Sequence, residues 1–384
     1  MCKKNILIVA HQKEDFIKYR MPYVERLLIE GHKILVLLPE SDVNNLYTLD
    51  CVEDRHNLIF YYYNYNRKSP KLWDVINFLF VLNNVIRSNK LDLIFSIKLF
   101  PNFVTSIAFN IFFIRLRDVR KICLVAGLGI LSNKGVKFTF FRWCYFFLLN
   151  KFHAIIVQNR FDESIISAYI DSKKVFLTNG SGISSQDLST KENELELLKK
   201  FDLNLLNTDR VFFCAARLTK SKGIFDLIKA FRSHDIDSRA FLIFVGWFES
   251  EDEKVLFFEM IEGESRIKYL GNHRSLDNLF NVVHFSVLIS TYGEGLSRFL
   301  IESLKMGKPL LTTNVPGCVD LLHDEIEGHL ITDISPENIV KNVNYLCSIS
   351  EEDYLKKSYF ARSVFQLNYS IDVVYKQYSK IFFK

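Results

Sequence analysis

Two glutamates eight positions apart are the residues of this chain best placed to do chemistry. Glu294 lies between two glycines, and Glu302 falls about two turns into a segment with the apolar spacing of a helix. Apolar runs at 285–290 and 308–313 on either side indicate buried strands. This order of elements predicts an α/β unit whose loop opens at the carboxyl edge of a parallel sheet, where doubly wound folds bind ligands.

The loop between the two glutamates suits a ligand rich in oxygen atoms. Both carboxylates can accept hydrogen bonds from hydroxyl pairs of a ribose or hexose. We expect Gly293 and Gly295 to adopt conformations that other residues avoid, and Ser297 to cap a helix whose free N–H groups suit a phosphate or sugar oxygen. The alternative is that Arg298 and Glu302 form an ordinary i,i+4 surface pair and the first glutamate is a solvated loop charge.

Two cations are predicted to share that edge. Arg217 directly follows the apolar strand at 211–216, and Lys222 precedes the helix predicted at 224–231. Arginine offers a fork for bidentate phosphate binding and lysine a point charge, so the pair suits a diphosphate. The alternative is two solvated loop cations.

Other patterns are weaker. Asp235 and Asp237 have the Asp-x-Asp form that can hold a divalent metal, but they fall in a turn between helix and strand, where two solvated carboxylates are the more common outcome. The first strand-to-helix turn, 10–15, has no glycine, so the dinucleotide fingerprint is absent. The segment 127–132 lacks the last glycine of that fingerprint. The nine histidines lack metal-ligand spacing, and the seven cysteines are scattered as reduced thiols of a cytoplasmic protein would be.

Length, composition and charge limit the class of protein and the partners that it can have. The 384 residues exceed one ordinary core, and 49% hydrophobic with 24% charged residues is typical of globular proteins. A formal charge of +5 is compatible with polyphosphate ligands or an anionic membrane surface but too weak to indicate nucleic acid. No apolar stretch reaches the roughly 18–20 residues of a membrane span. The short run at 5–10 reads as a first strand, not as a signal peptide.

Alternating strand-like and helix-like segments predict two domains with parallel sheets. We place an N-terminal domain at 1–183, a polar linker at 184–207 and a C-terminal domain at 208–365. A final helix at 366–384 is expected to cross back to the first domain. Phe138–Phe152 is a dense aromatic segment with cations in or beside it, which predicts either a membrane-interface helix or a core helix.

Several motifs together resemble the GT-B glycosyltransferases of retaining family 4. In chain order these motifs are Lys98-Leu99-Phe100-Pro101-Asn102, Gly127-Leu128-Gly129, Gly180-Ser181-Gly182, Arg217 with Lys222-Gly223, Glu294 and Glu302 at their spacing, Met306-Gly307-Lys308-Pro309, Asn314-Val315-Pro316-Gly317-Cys318 and Glu327-Gly328-His329-Leu330-Ile331. The first two are similar to the bacterial branch that extends lipid-linked oligosaccharides for surface polysaccharides. The chain departs from many relatives in having no histidine at 125–129 and a valine at position 319.

The resemblance implies two Rossmann-like, doubly wound domains that face each other across a cleft. It implies that Glu294, Arg217 and Lys222 act in catalysis, with the two cations neutralising the diphosphate as the glycosidic bond breaks. It assigns donor binding to six residues, Glu302, Gly295, Leu296, Ser297, Arg298 and Gly246. No protein carboxylate is expected as nucleophile, and no metal or other cofactor is expected.

The function implied is retaining transfer of a hexose or N-acetylhexosamine from a nucleotide sugar, with UDP as the expected nucleotide. The acceptor implied is a polyprenyl-diphosphate-linked saccharide at the cytoplasmic face of the membrane, where the enzyme would be a peripheral protein. Three alternatives stay open: a sugar-nucleotide epimerase on the same scaffold, an inactive scaffold subunit, and a membrane-surface binding module.

Overall fold

The computed structural model divides the chain into two compact units. It describes residues 3–40, 57–65, 71–112, 116–132, 135–185, 199, 201, 203, 205–206, 208–273, 275–323 and 327–384. The first unit joins Met1–Ile183 to Ile371–Lys384, and the second is Ser184–Ser370. The linker predicted at 184–207 lies mostly outside the described residues, and 366–370, predicted as part of the final helix, fall in the second unit.

A parallel sheet of seven strands forms the centre of the first unit. The strands are β1 Asn5–Val9, β2 Lys33–Pro39, β3 Leu58–Tyr63, β4 Leu93–Ile97, β5 Arg120–Val125, β6 Ala154–Val157 and β7 Val175–Leu177. Their order in the sheet is β3-β2-β1-β4-β5-β6-β7. The order grows outward in both directions from the β1–β4 pair, as in doubly wound folds.

Both faces of this sheet are buried. Along β1, Leu7 and Val9 belong to the core on one face, whereas Ile6 and Ile8 belong to the core on the other. Strands covered on both faces need apolar residues at every position, which explains why they are visible in the sequence as continuous apolar runs.

Helices cover both faces of the first sheet. They are α1 Lys13–Tyr19, α2 Met21–Ile29, α3 Leu72–Ser88, α4 Leu99–Ile111, α5 Val136–Leu149 and α6 Arg160–Ser167. One long helix from Phe16 to Glu30 is the natural sequence prediction, and it is wrong: the helix breaks at Arg20. Pro22 then lies in the first turn of α2, where a residue without an N–H costs no hydrogen bond.

The second unit has a parallel sheet of six strands. They are β8 Arg210–Ala215, β9 Ala240–Val245, β10 Ile267–Tyr269, β11 Phe285–Leu288, β12 Leu310–Thr313 and β13 Gly328–Ile331. The order is β10-β9-β8-β11-β12-β13, so the winding direction reverses between β8 and β11. Such a switch point leaves a crevice at the carboxyl ends of the two strands.

The helices of the second unit alternate with its strands. They are α7 Ile224–Phe231, α8 Glu251–Ile261, α9 Arg298–Lys305, α10 Pro336–Ser348 and α11 Glu351–Val364, and the last helix, α12 Ile371–Phe382, packs in the first unit. A π-helical turn, Phe365–Tyr369, precedes α12. The prediction of two α/β domains with doubly wound sheets is confirmed.

Candidate active site at the switch point

The loops after β8 and β11 meet at the carboxyl edge of the second sheet. The two strands are neighbours and parallel, so the segments that follow them leave on the same side. The N–H of Thr291 donates to the carbonyl of Ser221 at 2.9 Å and joins the two loops directly. Gly223 lies so close to β11 that a Cβ atom on it would be 2.0 Å from the carbonyl oxygen of Ile289. The sequence therefore brings the Lys222 turn against the segment leading to Glu294.

Lys222 and Glu294 form a largely buried ion pair. The Nζ atom of Lys222 contacts Oε1 of Glu294, and the two side chains are 8% and 16% exposed. The same Nζ lies 4.9 Å from the ring centre of Tyr292. Burial alone would lower the pKa of Lys222, but the Glu294 carboxylate outweighs it, and the net pKa is raised. The ammonium group therefore stays charged at neutral pH.

Arg217 is held by two partners. Its Nη1 donates to Oε1 of Glu249 at 2.7 Å, and its Nη2 donates to the hydroxyl of Tyr292 at 2.8 Å. Burial opposes the charged form, but the hydrogen bond to Glu249 and the charges nearby raise the pKa of Arg217 overall. The side chain of Tyr292 thus lies beside both predicted phosphate-binding cations, with its hydroxyl on Arg217 and its ring near Lys222.

Glu302 pairs with Arg298 within α9. The Nε atom of Arg298 donates to Oε1 of Glu302 at 2.7 Å, with the side chains 24% and 19% exposed. This is the i,i+4 pair of the alternative interpretation, although it is mostly buried rather than solvated. The structure places Glu302 on the helix that follows the Glu294 loop.

The glycines of the Glu294 loop do not have the role expected of them. Gly293 and Gly295 are not among the glycines with positive φ, so the prediction of unusual backbone conformations there is wrong. Gly317, in the next loop, has φ +79°, and a Cβ on it would be 2.3 Å from the carbonyl oxygen of Gly295. The N–H of Glu294 donates to the carbonyl of Pro316 at 2.9 Å. The turn after β12 therefore supports the Glu294 loop.

Ser297 begins α9, but its side chain makes no capping hydrogen bond. It is buried, and its N–H donates to the carbonyl of Gly317 at 3.3 Å. Gly295 and Leu296 are half-buried in the same loop. The predicted N-cap is therefore correct in position, whereas its contact is with the supporting turn.

Gly246 has a visible packing role. Its N–H donates to the carbonyl of Gly271 at 2.9 Å, and its carbonyl accepts from the hydroxyl of Tyr269 at 2.8 Å. A Cβ on it would be 1.8 Å from the carbonyl oxygen of Ala216. Glycine is needed there because β9 ends against the backbone that leads to Arg217.

Sequence reasoning missed Tyr292, Glu249 and Gly317. Tyr292 stands two residues before Glu294, and a tyrosine beside a charged loop was the available signal. Glu249 comes from the loop after β9, and its pairing with Arg217 depends on the fold. Gly317 belongs to a motif already noted, but its backbone angle is not encoded in the spacing.

The Asp-x-Asp pattern does not gather metal ligands. Asp237 binds the guanidinium of Arg239 at 2.7 Å, and that pairing lowers the pKa of its carboxyl group. Within the part of the chain that is described, no cluster of three or more histidine, cysteine, aspartate or glutamate residues could hold a metal ion.

Two motifs of the first unit have structural roles. Arg20 is buried, and its Nη1 donates to the hydroxyl of Ser181 at 2.7 Å. The hydroxyl of Tyr378 donates to the carbonyl of Gly180 at 3.1 Å. The Gly-Ser-Gly turn is therefore tied to α12. Lys98 has φ +75° at the start of α4 and pairs with Asp15.

Two parallel α/β units, one with a cationic site at its switch point, define the class of protein. Over its full length the chain is similar to a glycosyltransferase from Rickettsia africae, with a TM-score of 0.82 and 18% identity, covering 100% of this chain and 98% of that one. It is also similar to Anabaena HepE in complex with UDP and glucose, with a TM-score of 0.76 and 16% identity, covering 98% and 99%. These similarities establish the GT-B fold.

Sequence comparisons find similar proteins that are glycosyltransferases. Residues 197–362 match the family of glycosyl transferases group 1. The capsular polysaccharide biosynthesis glycosyltransferase CapM of Staphylococcus aureus is 28% identical over 236 residues, which cover 57% of this chain and 58% of CapM. The N,N'-diacetylbacillosaminyl-diphospho-undecaprenol alpha-1,3-N-acetylgalactosaminyltransferase of Campylobacter jejuni is 21% identical over 97% of both chains. The chain therefore has the GT-B fold, and its second unit is similar to the group 1 glycosyl transferases.

Proposed function

We propose that this enzyme is a retaining glycosyltransferase of family 4 that transfers a hexose or N-acetylhexosamine from a UDP-sugar. The observation that carries the proposal is the pair of charged cations, Arg217 and Lys222, held at the switch point beside Glu294. A nucleotide diphosphate is the leaving group that two such cations would stabilise. The UDP and glucose bound by HepE, which has the same fold, support a uridine donor.

The proposed reaction exchanges one bond at the anomeric carbon. The bond from that carbon to the β-phosphate oxygen breaks, and a bond to the acceptor hydroxyl oxygen forms on the same face. The hydroxyl proton passes to the leaving phosphate, so no protein nucleophile is needed. Arg217 and Lys222 would stabilise the charge that develops on the diphosphate, and no metal ion is assigned to this task.

The carboxylates and the loop backbone would hold the donor. Glu302 would accept hydrogen bonds from ribose hydroxyls and Glu294 from sugar hydroxyls. Gly295, Leu296, Ser297, Arg298 and Gly246 would surround them. The contact between Lys222 and Glu294 supports this arrangement, because the cation proposed to bind phosphate lies beside the carboxylate proposed to bind the sugar.

For the acceptor we propose a hydroxyl of a polyprenyl-diphosphate-linked saccharide in surface-polysaccharide assembly. The Campylobacter relative acts on a diphospho-undecaprenol-linked sugar, and CapM acts in capsule biosynthesis, as their names state. Such an acceptor would keep the enzyme at the cytoplasmic face of the membrane as a peripheral protein. We assign it no nucleic-acid partner.

A binding screen tests the donor assignment. Among UDP-, GDP-, ADP- and dTDP-sugars, the UDP-sugars are expected to raise the melting temperature most, because a ligand that binds the native state alone stabilises it. Stabilisation by another nucleotide series, with none by UDP, would contradict the assignment. Full binding and transfer are expected in EDTA, and a strict metal requirement would contradict the proposed chemistry.

Two substitutions test the residue roles. Lys222→Ala and Glu302→Ala are each expected to lower transfer by about 10²-fold or more. Lys220→Ala is the matched control, because this exposed lysine lies in the same short turn, Lys220–Lys222. Melting curves verify that each variant is folded. Unchanged transfer in a folded Lys222→Ala or Glu302→Ala variant would disprove the role of that residue.

A further inference from the structure

Three neighbouring helices of the first unit expose apolar stripes. On α5 four exposed residues, Val136, Phe140, Trp143 and Phe147, follow spacings of four, three and four, which is one face of a helix. The exposed apolar residues and their exposed fractions are Leu72 74%, Trp73 74%, Ile76 44% and Phe80 64% on α3, Leu99 46%, Phe103 38% and Ile111 58% on α4, and Val136 89%, Phe140 61%, Phe141 50%, Trp143 56% and Phe147 60% on α5.

These stripes belong to one surface. Helix α4 packs against both α3 and α5. The opposite faces of all three helices contribute Phe78, Val104 and Phe146 to the same core against the sheet. The stripes therefore point away from the sheet. We call the exposed residues of α3, α4 and α5 the apolar face.

The three helices of the apolar face carry more positive than negative charges. In the 17, 13 and 14 residues of the three helices the only carboxylate is Asp74, against the three cations Arg87, Lys137 and Arg142. The carboxylate of Asp74 is engaged by the N–H of Lys71 at 2.7 Å. Lys151, just beyond α5, extends its ammonium to 5.9 Å from the ring of Phe147.

The aromatic residues on the apolar face are of the type that favours a lipid interface. The chain has three tryptophans, and two of them, Trp73 and Trp143, lie here. The rings of Trp143 and Phe147 stack with centroids 6.0 Å apart. Helices with tryptophan, phenylalanine and leucine on one side and lysine or arginine beside them lie in the plane of a bilayer interface. Cations near an anionic leaflet are attracted to it.

We propose that the apolar face docks the first unit onto an anionic phospholipid bilayer. A second copy of the chain fits less well, because a two-fold contact would press one cationic face against another with a single carboxylate per copy to offset the repulsion. Among the described helices none is long and apolar enough to cross a membrane, and the stripes lie along the helices, so the unit rests on the lipid surface. The inference stands on this face alone and does not depend on the donor assignment.

The full-length protein with Trp247→Phe tests the proposal, because Trp73 and Trp143 are then its fluorescent reporters. The protein is expected to co-sediment with vesicles of phosphatidylcholine and phosphatidylglycerol, and its tryptophan fluorescence is expected to shift to the blue. Vesicles of phosphatidylcholine alone are expected to bind at least fivefold more weakly, and added salt should weaken binding to the anionic vesicles.

Two double substitutions distinguish vesicle binding by the apolar face from nonspecific binding through exposed apolar residues elsewhere. Trp143→Ser with Phe147→Ser is expected to weaken vesicle binding at least tenfold, because two large apolar side chains no longer enter the lipid. The matched control is Leu355→Ser with Tyr359→Ser, since those residues of α11 are 58% and 71% exposed in the second unit. Equal binding by both variants overturns the proposal. So does a lipid-free dimer that the first variant disrupts, because the face would then be an interface between copies.

A second inference concerns Tyr292 and rests on the proposed function. Its hydroxyl accepts from Arg217 at 2.8 Å, and its ring lies 4.9 Å from the ammonium of Lys222. Its backbone is fixed in turn, because the hydroxyl of Ser290 donates to its carbonyl at 3.1 Å. One side chain thus sets the separation of the two cations through two different contacts.

We infer that Tyr292 is a positioning residue that matches Arg217 and Lys222 to the diphosphate of the donor. Tyr292→Phe removes the contact to Arg217 and keeps the ring beside Lys222, whereas Tyr292→Leu removes both. The phenylalanine variant is expected to bind UDP a few-fold more weakly, and the leucine variant at least tenfold more weakly. Both should bind uridine within twofold of the wild type, because uridine lacks the diphosphate.

Calorimetric titration of UDP and uridine into the full-length chain gives these affinities, with Lys222→Ala as reference. A merely structural role for Tyr292 would weaken uridine and UDP equally, and that result overturns the inference. If Tyr292→Leu binds UDP as tightly as the wild type does, while Lys222→Ala has lost UDP affinity, the inference is also overturned. The proposed donor site itself would remain intact. Absence of UDP binding by the wild type would overturn the proposed function itself.

Discussion

At the scale of single residues, each of the two cations proposed to bind phosphate is held by groups from other loops. Lys222 lies against Glu294, and Arg217 lies between Glu249 and Tyr292. Cations paired in this way remain charged and oriented before a ligand arrives, which lowers the cost of organising the site during the reaction. The geometry of the site therefore depends on the loops after β9, β11 and β12 as much as on the cations themselves.

Gly317→Ala tests how strongly the supporting turn fixes the Glu294 loop. The substitution adds a Cβ 2.3 Å from the carbonyl oxygen of Gly295, at a residue with φ +79°. It is expected to destabilise the protein by more than about 2 kcal/mol and to lower transfer at least tenfold, because the Glu294 loop must move. Urea unfolding and a transfer assay measure the two effects.

Gly263→Ala is the control for backbone strain alone. Gly263 has φ +77°, but a Cβ there would meet nothing within 4 Å. Its alanine variant should lose only about 1–2 kcal/mol and keep full transfer activity. If the two alanine variants behave alike, the contact between Gly317 and Gly295 does not matter for catalysis.

At the scale of elements, three histidines join neighbouring strands at the amino ends of the sheets. Each stands one residue before a strand, β2, β6 or β11, and its Nδ1 accepts a backbone hydrogen bond from the neighbouring strand. The bonds are Lys4 to His32 at 3.1 Å, Lys121 to His153 at 3.0 Å and Val211 to His284 at 3.1 Å. An Nδ1 that accepts cannot carry a proton, so these histidines are neutral strand connectors.

The stability of the protein is therefore expected to fall in mild acid. Burial, with Arg210 and Lys308 nearby, lowers the pKa of His284 to about 4, against some attraction from Glu351. Burial also lowers the pKa of His32 and of His153. Above about pH 6.5 these residues are neutral in both folded and unfolded chains. Between about pH 6.5 and 4 the unfolded chain binds protons first, and His284 alone would cost on the order of 3 kcal/mol.

Urea unfolding from pH 7.5 to 4.5 measures this dependence. His284→Asn is expected to show a flatter profile than the wild type, because the titrating group is gone. His234→Asn is the control, since His234 is exposed. Parallel profiles for the wild type and His284→Asn would show that His284 is not responsible.

The strands and the sheet edges that they share could be predicted from the sequence better than the contacts within the loops. Buried parallel strands require apolar runs, and the residues after β8 and β11 must then leave at one edge, so Arg217, Lys222 and Glu294 could be placed together. Backbone angles at Gly293 and Gly317 depend on which loop packs against which, and spacing does not record that. The pairing of Arg217 with Glu249 joins residues 32 positions apart, so it is visible only in the folded chain.

At the scale of the whole molecule, the chain passes from the first unit to the second and returns. Helix α12 belongs to the core of the first unit, where Tyr378 is 1% exposed. Its ring stacks on Tyr23 with centroids 5.6 Å apart, and its hydroxyl reaches the carbonyl of Gly180. The core of the first unit therefore includes a helix that follows the second unit in the chain. A destabilising substitution in α12 should lower the stability of the first unit.

Tyr378→Ala is expected to destabilise the first unit by about 3–5 kcal/mol, because it leaves a large cavity in a packed core. Tyr378→Phe should lose only about 1 kcal/mol, the value of the hydrogen bond to Gly180. Tyr359→Ala, at a position 71% exposed on α11, controls for loss of a tyrosine as such.

Calorimetry reports the melting of the chain, and UDP titration below the melting transition reports the second unit. Because every residue of the proposed donor site belongs to the second unit, Tyr378→Ala should keep its UDP affinity while its melting temperature falls. Joint loss of both would mean that the second unit needs the first to hold its site.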